Sequence, residues 1–272
     1  PTAADAFWNV AQNAAFARRK SDEVAERRRV MQDAFHQADL VIAPSNFILQ
    51  KYAEFGYQHF RSVFIQHGVN RPEGQAPNPT VVQPEHIRFG YMGQIKSHKG
   101  VDLVTSAVVE LLDAGHSCSL QIWGRDADDP AYYKRLQQRT RFHQAVYFCG
   151  PFEGARVWEV LHGIDVLIVP SRWYENCPTV ILEAFKMNIP VIATNLGGMA
   201  ELVQHEQNGL TFALNDAHDL RRQMERMVSE PGLFQKLKQG IPYIKSASEE
   251  IHEIYEQYEL LLARTRQQID IS

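Results

Sequence analysis

The stretch YENCPTVILE, residues 174–183, sets two carboxylates, Glu175 and Glu183, at either end of an apolar run broken by Pro178. Pro178 suits the first position of a helix, where its missing N–H costs nothing. The unpaired amides of Thr179, Val180 and their neighbours then make a natural phosphate site. A carboxylate beside such a site repels phosphate unless something lies between them. Sugar hydroxyls can stand there, because they donate to a carboxylate, which also favours positive charge at an anomeric carbon. The competing reading is that Glu175 only benefits the helix N-terminus, worth about 0.3–1 kcal/mol; the helix alone does not choose. Further in, Thr179, Glu183 and Lys186 fall on one polar stripe. Glu183 is there either a partner for Lys186 at i, i+3, worth roughly a few tenths of a kcal/mol, or an acceptor for the two hydroxyls of a ribose.

A second stretch, GQIKSHKG (93–100), offers Gly93 and Gly100 for close backbone approach, and Lys99 or Lys96 to meet a diphosphate. It matches neither the P-loop nor the G-x-G-x-x-G spacing. The triplet Asp126-Ala127-Asp128 has the form of a metal-holding carboxylate pair, but three residues are a weak pattern. Asp129-Pro130 reads instead as a helix opening, and no metal or other cofactor is expected.

These residues need a scaffold. From residue 87 apolar runs bounded by turn residues alternate with amphipathic segments. Strands are expected at 87–93, 119–124, 145–150, 165–171, 190–194 and 209–214, with helices at 100–115, 129–140, 156–163 and 178–187. Such βαβ alternation specifies an α/β fold, a Rossmann-like parallel sheet with helices on both faces. Its ligands bind beyond the carboxyl ends of the strands. The helix carrying Glu183 is expected beneath the sheet edge, and the tail from Asp216 to about Arg266 as helical. Upstream, 39–45 and 61–70 read as strands around a short helix, and 5–37 as a polar helix or two. The Pro-rich stretch 71–86 reads as a linker. The organisation expected is therefore a partial first domain (1–70), linker (71–86), ligand-binding domain (87–240) and C-terminal helical segment (241–272).

Composition narrows the function. With 44% hydrophobic and 22% charged residues the chain can bury a real core. A net charge of −4 argues against general affinity for nucleic acid. Cys118, Cys149 and Cys177, an odd number without metal-type spacing, suggest free thiols in a reducing compartment. No membrane-length apolar run or signal-peptide pattern is present, so a cytoplasmic location is expected. Arg18-Arg19-Lys20 and Arg27-Arg28-Arg29 are interleaved with acids, which fits a solvated helix face. A patch for the inner face of a membrane or for an acidic partner is the alternative for that helix.

Together, YMGQIKSHKG, QIWGRD, VYFCGPF, DVLIVPSRWYENCPTVILEAFKMNIPVIATNLGGMAELV and NGLTFALND resemble, in order and spacing, glycosyltransferase family 4. These are retaining enzymes with the two-domain GT-B fold, and the resemblance runs from residue 38 to about 240. It implies that Glu175 contacts the transferred sugar and Glu183 the ribose of a nucleotide-sugar donor. The segment Asn176, Cys177, Pro178, Thr179 and Val180 supplies amides to sugar and phosphate, while Gly93 and Lys99 meet the diphosphate. Gln94 stands where the family usually has Arg, so one positive charge is missing unless Lys96 or His98 supplies it. Gly197, Gly198 and Glu201 match a further cleft-facing loop, a tight turn leading into a helix being the plainer reading. The base is read largely by main chain near Gly150 to Phe152. His67, in QHGVN, is expected to be structural, and no counterpart of the relatives' first-domain catalytic histidine is identified.

The implied activity is metal-independent transfer, with retention, to an acceptor hydroxyl on a glycan, a lipid-linked acceptor or a small molecule, as in polysaccharide biosynthesis. Residues 1–70 are short for the acceptor-binding domain, so the chain is expected to be the donor-binding portion, weakly active or inactive alone. A non-catalytic nucleotide-sugar-binding module is the alternative, and an epimerase a more distant one.

Overall fold

The computed structural model describes residues 22–74, 85–125 and 129–269. The chain divides into two units: Pro1–Ala43 with Leu49–Phe64, and Pro44–Ile48 with Ile65–Ser272. In the smaller unit, helix α1 (22–37) precedes two short parallel strands, β1 (Val41–Ala43) and β2 (Ser62–Phe64). Helix α2 (Asn46–Glu54) begins in the larger unit and continues into the smaller. Phe35 stacks on Tyr52 and meets the edges of Tyr57 and His59. On α1, Arg29 pairs with Glu26 at 2.8 Å and Arg28 donates to the Phe55 carbonyl. The cluster Arg18-Arg19-Lys20 lies outside the described residues.

The larger unit is built on six parallel strands: β3 (Ile87–Met92), β4 (Cys118–Trp123), β5 (Val146–Gly150), β6 (Val166–Val169), β7 (Val191–Thr194) and β8 (Gly209–Phe212). Their order is β5-β4-β3-β6-β7-β8. Along the central strands β3, β6 and β7, alternation sends side chains to two separate cores. Ile87, Phe89, Val166, Ile168 and Ile192 enter the core under α3 (Val101–Asp113), α4 (Pro130–Thr140), α8 (Ala217–Ser229) and α9 (Leu233–Gln239). Leu167, Val169, Val191 and Ala193 enter the other, with α5 (Val157–His162), α6 (Thr179–Lys186) and α7 (Gly197–Leu202). Near-continuous Val/Ile/Leu runs are what strands buried on both faces require.

Three local expectations are corrected. Helix α6 packs on a face of the sheet over the interior strands β6 and β7, not beneath its edge. Pro178 is the N-cap of α6, with Thr179 the first helical residue. The tail is interrupted over 240–246 before α10 (Ala247–Ile269), where Gly240 and Pro242 break the helical path. There Val69 N–H donates to Lys245 O and Gly68 N–H to the Glu250 carboxylate, and His67 Nδ1 lies 2.9 Å from the same carboxylate. His67 thus ties the tail to the chain entering the sheet. Asp129 caps α4 as expected, accepting from Tyr132 N–H at 2.9 Å, with Pro130 behind it. No helix among the described residues is long and apolar enough to cross a membrane.

The chain leaves β3 towards β4 and β5, then returns to β6 and runs the other way. The carboxyl ends of β3 and β6 therefore diverge into a crevice at the topological switch. Gly100, at φ +73°, closes the loop after β3, and a Cβ there would lie 2.1 Å from the Pro170 carbonyl after β6. Gly100→Ala is predicted to cost about 1–3 kcal/mol through strain and clash. Chemical denaturation would register this as a lower midpoint at unchanged slope; an unchanged midpoint would show that the two loops need no close approach.

Candidate active site

Two cavities open where β3 and β6 diverge. One, of about 390 Å³, is lined by Tyr91, Lys99, Ser171, Glu175, Pro178 and Thr179. The other, of about 310 Å³, is lined by Gly124, Arg125, Pro151, Phe152, Val157 and Glu183. Met92, Gly93, Gln94 and Val180 line both, so the cavities adjoin at the start of α6.

Lys99 ends a short 3-10 helix, Ser97–Lys99, in the loop after β3. Its ammonium lies 2.6 Å from Glu175 Oε1, and Ser171 Oγ donates to the same oxygen at 2.8 Å. The pair therefore bridges the two loops of the switch. Its side chains are 27% and 19% exposed, between the wet pairs worth roughly 0–1 kcal/mol and the buried ones whose desolvation offsets their attraction. The loops are also clamped by Arg172. Its guanidinium takes both Asp102 oxygens at 2.7 Å and the Ser97 carbonyl at 2.6 Å, while its N–H donates to His98 O. Burial works to raise the Asp102 carboxyl. Hydrogen bonds from Arg172 and Tyr132 and the guanidinium charge outweigh it, leaving the carboxyl below its usual range.

Helix α7 holds the Glu175 loop from the other side. Gly198 N–H donates to Glu175 O at 2.9 Å, and a Cβ on Gly198 would lie 1.7 Å from Asn176 O. Glu201 accepts from the N–H groups of Asn46 and Phe47 at 2.9 and 2.7 Å, fixing the first turn of α2. Ser45 Oγ then donates to Asn176 Oδ1 at 2.7 Å. Gly197 and Gly198 thus open a helix and brace the loop at once, and the Glu201 carboxylate is occupied by backbone amides.

Glu183 is the contrasting group. Among the described residues its carboxylate has no hydrogen-bond or ion-pair partner, and burial holds its pKa above the usual 4.5. The i, i+3 partner considered for it is engaged elsewhere: Lys186 donates to the Ile244 carbonyl and lies over the Tyr243 ring. At the start of α6 no side chain caps the helix, and Ile181 N–H turns back to Pro178 O. The amides of Thr179 and Val180 are left at the cavity.

Glu175, Lys99, Gly93, Gln94, Pro178, Thr179, Val180 and Glu183 are thus brought together around adjoining cavities. Asn176 and Cys177 sit beside them without lining either, and burial pushes the Cys177 thiol up to about 11, which keeps it protonated. Asp126, Ala127 and Asp128 lie outside the described residues. Among the described residues no group of three His, Cys, Asp or Glu side chains could hold a metal ion. Sequence reasoning missed Arg125, Arg172 and Asp102. Arg125 follows directly on the strand it extends, which was a usable signal; the Arg172–Asp102 pair joins residues 70 apart and left none.

Comparison with known proteins agrees with this architecture. Residues 75–247 match the model of the family "Glycosyl transferases group 1", and the chain belongs to that family. A glycosyltransferase of Methanocaldococcus jannaschii is 25% identical over 174 residues, 64% of this chain and 42% of that protein. Among solved structures, sucrose-phosphate synthase of Thermosynechococcus elongatus superposes with a TM-score of 0.74 at 20% identity, covering 88% of this chain and 62% of the other. Anabaena HepE in complex with UDP and glucose superposes with a TM-score of 0.69 at 18% identity, covering 85% and 66%. The fold is that of the GT-B glycosyltransferases, and the chain spans less than half of the curated relative's length.

The unpaired Glu183 carboxylate makes a prediction with a defined sign. A carboxyl whose folded-state pKa lies above its unfolded value favours the folded state below that unfolded value and loses the contribution as pH rises. Glu183→Gln is therefore expected to raise the melting temperature at pH 7, with the difference shrinking as pH falls towards 4.5. Thermal melts across that range test this, and a Gln variant less stable than wild type at pH 7 would show the carboxylate to be a structural asset.

Proposed function

We propose that this chain is the donor-binding portion of a retaining glycosyltransferase that takes a sugar from a nucleotide-diphosphate sugar to an acceptor hydroxyl. The observation that carries this reading is the pair of adjoining cavities. One holds a carboxylate without a partner among the described residues, the other a lysine–carboxylate pair, and the first turn of α6 lies where they adjoin. A nucleoside fits the first, with Glu183 accepting from its ribose hydroxyls. The diphosphate fits the junction, at the N–H groups of Thr179 and Val180. The sugar fits the second, against Glu175. The complex of HepE with UDP and glucose supports this class of donor.

In the reaction the bond between the anomeric carbon and the diphosphate oxygen breaks, and a bond to the acceptor oxygen forms on the same face. The acceptor proton passes to the departing phosphate oxygen. Lys99 stabilises the charge that collects on the diphosphate, exchanging its Glu175 partner for a phosphate oxygen as that charge grows. Glu175 orients the sugar and favours positive charge at its ring. No step uses a metal. The acceptor, a glycan, a lipid-linked sugar or a small molecule, is met by protein beyond the donor cavities.

A non-catalytic nucleotide-sugar-binding module is the second reading, favoured by the neutral Gln94 at the junction of the two cavities. Titration with UDP-, GDP- and ADP-sugars should find one donor bound, and no binding of any would remove both readings. Sugar release to water or to an acceptor distinguishes enzyme from module. Glu175→Gln is expected to lower that turnover by about 100-fold with nucleotide affinity nearly unchanged. Glu183→Ala should weaken nucleotide binding by roughly 10- to 100-fold. Equal effects of both changes on both quantities would undo this division of roles.

A further inference from the structure

A diphosphate needs more positive charge than the cavities appear at first to hold. Their charged lining residues, among those described, are Lys99, Glu175, Glu183 and Arg125. Lys99 and Glu175 pair at 2.6 Å and cancel at a distance. Glu183 stands without a counter-ion among the described residues in the cavity that adjoins the diphosphate position. Gln94, which lines both cavities at their junction, is neutral. Without Arg125 the lining carries a net negative charge and opposes an anionic ligand.

Arg125 is placed to neutralise that charge and to offer a cation of its own. Strands β3 and β4 run parallel with Met92 opposite Trp123, so two residues further on Gln94 lies alongside Arg125. The pairing continues past the strand ends, since Gly93 N–H donates to Trp123 O at 3.0 Å and Ile95 N–H to Arg125 O at 3.2 Å. Neighbouring strands lie about 4.8 Å apart, well within the reach of an arginine side chain. The Arg125 guanidinium has no hydrogen-bond or ion-pair partner among the described residues, unlike those of Arg172, Arg226 and Arg88, which each hold a carboxylate. A planar fork of donors with no protein acceptor, on the wall of an acid-containing cavity, matches the oxygens of a phosphate.

We infer that Arg125 binds the diphosphate of the donor, supplying from the neighbouring strand the positive charge that Gln94 does not carry. This rests on the donor reading above. Arg125 is then a specificity determinant for the charged part of the ligand, with Glu183 and the main chain near Phe152 left to the nucleoside.

The test compares UDP, GDP and ADP with their nucleosides by calorimetric titration of the whole chain. Arg125→Ala should weaken the diphosphate that binds by about 10- to 100-fold and flatten its salt dependence, with the nucleoside affected less than about twofold. Gln94→Arg introduced into Arg125→Ala should recover most of the loss, because it restores the charge one strand away. Circular dichroism melts confirm that both variants fold, and Arg125→Gln serves if Arg125→Ala does not. Diphosphate affinity unchanged in the arginine variant, equal losses for nucleoside and diphosphate, or no recovery with Gln94→Arg would each overturn the inference and leave the donor reading standing. A wild-type chain that binds none of the three diphosphates would overturn both.

Discussion

The larger unit depends on one topological constraint, the reversal of strand order between β3 and β6. A parallel sheet with helices on both faces offers no exposed surface of its own, and the only polar backbone it leaves accessible is at strand ends and helix starts. Where neighbouring connections run to opposite faces, those ends separate and a crevice opens. In this chain the Lys99 loop leaves β3 and the Glu175 loop leaves β6, so their ion pair spans the reversal. Gly100 against Pro170 sets how closely the loops approach, and the Arg172–Asp102 fork sets how they are turned. The geometry of the site thus follows from the strand order and from two contacts that hold the loops around it.

The groups around the crevice fall into two kinds. Glu175, Glu201, Asn176 and Asp102 are each held by at least one hydrogen bond from a neighbouring element. Glu183 and Arg125 are held by none among the described residues, although one is negative, the other positive, and both line one cavity. A half-buried carboxylate without a partner lowers stability, and a protein free to optimise stability alone would replace or pair it. Its retention on α6, where Lys186 lies at helical spacing yet turns to the Ile244 carbonyl, is hard to attribute to folding. The same holds for Arg125, which lines that cavity and pairs with no acid among the described residues. Opposite charges that leave each other unpaired on one wall are what the proposed ligand, with its hydroxyls and phosphates, would engage.

Much of this was legible in the chain itself, for identifiable reasons. Doubly buried strands must be written as short runs such as VLIV and VIAT, and turns such as HGID and KMNIP punctuate them. Asp129 and Pro130 announce a helix start by local chemistry alone. Glu175 and Glu183 stood out because acids are costly beside apolar runs. What was hidden depends on pairing across the sheet. That α6 packs over interior strands follows from strand order, which local periodicity does not carry. The occupation of Glu201 by the first turn of α2 joins residues 155 apart in the chain. Arg125 was overshadowed by the Asp-Ala-Asp triplet that follows it; its meaning appears only when the β3–β4 register sets it beside Gln94.

The start of α6 shows how the two levels meet. Helices α4 and α8 spend a side chain on their own first turns, Asp129 accepting from Tyr132 and Asp216 from Asp219. Helix α3 opens without such a cap, and the Tyr132 hydroxyl takes the Asp102 amide instead. At α6 the N-cap is Pro178, which has neither a polar side chain nor an N–H. Only Ile181 N–H turns inward, so the amides of Thr179 and Val180 keep their donors for whatever enters the crevice. A serine or aspartate at position 178 would serve the helix better, by roughly 0.5–2 kcal/mol on the scale of ordinary caps. Proline forgoes that stabilisation while still fixing φ for helix entry. The residue that ends the loop and begins the helix is thus suited less to closing the helix than to leaving its positive end open between the two glutamates.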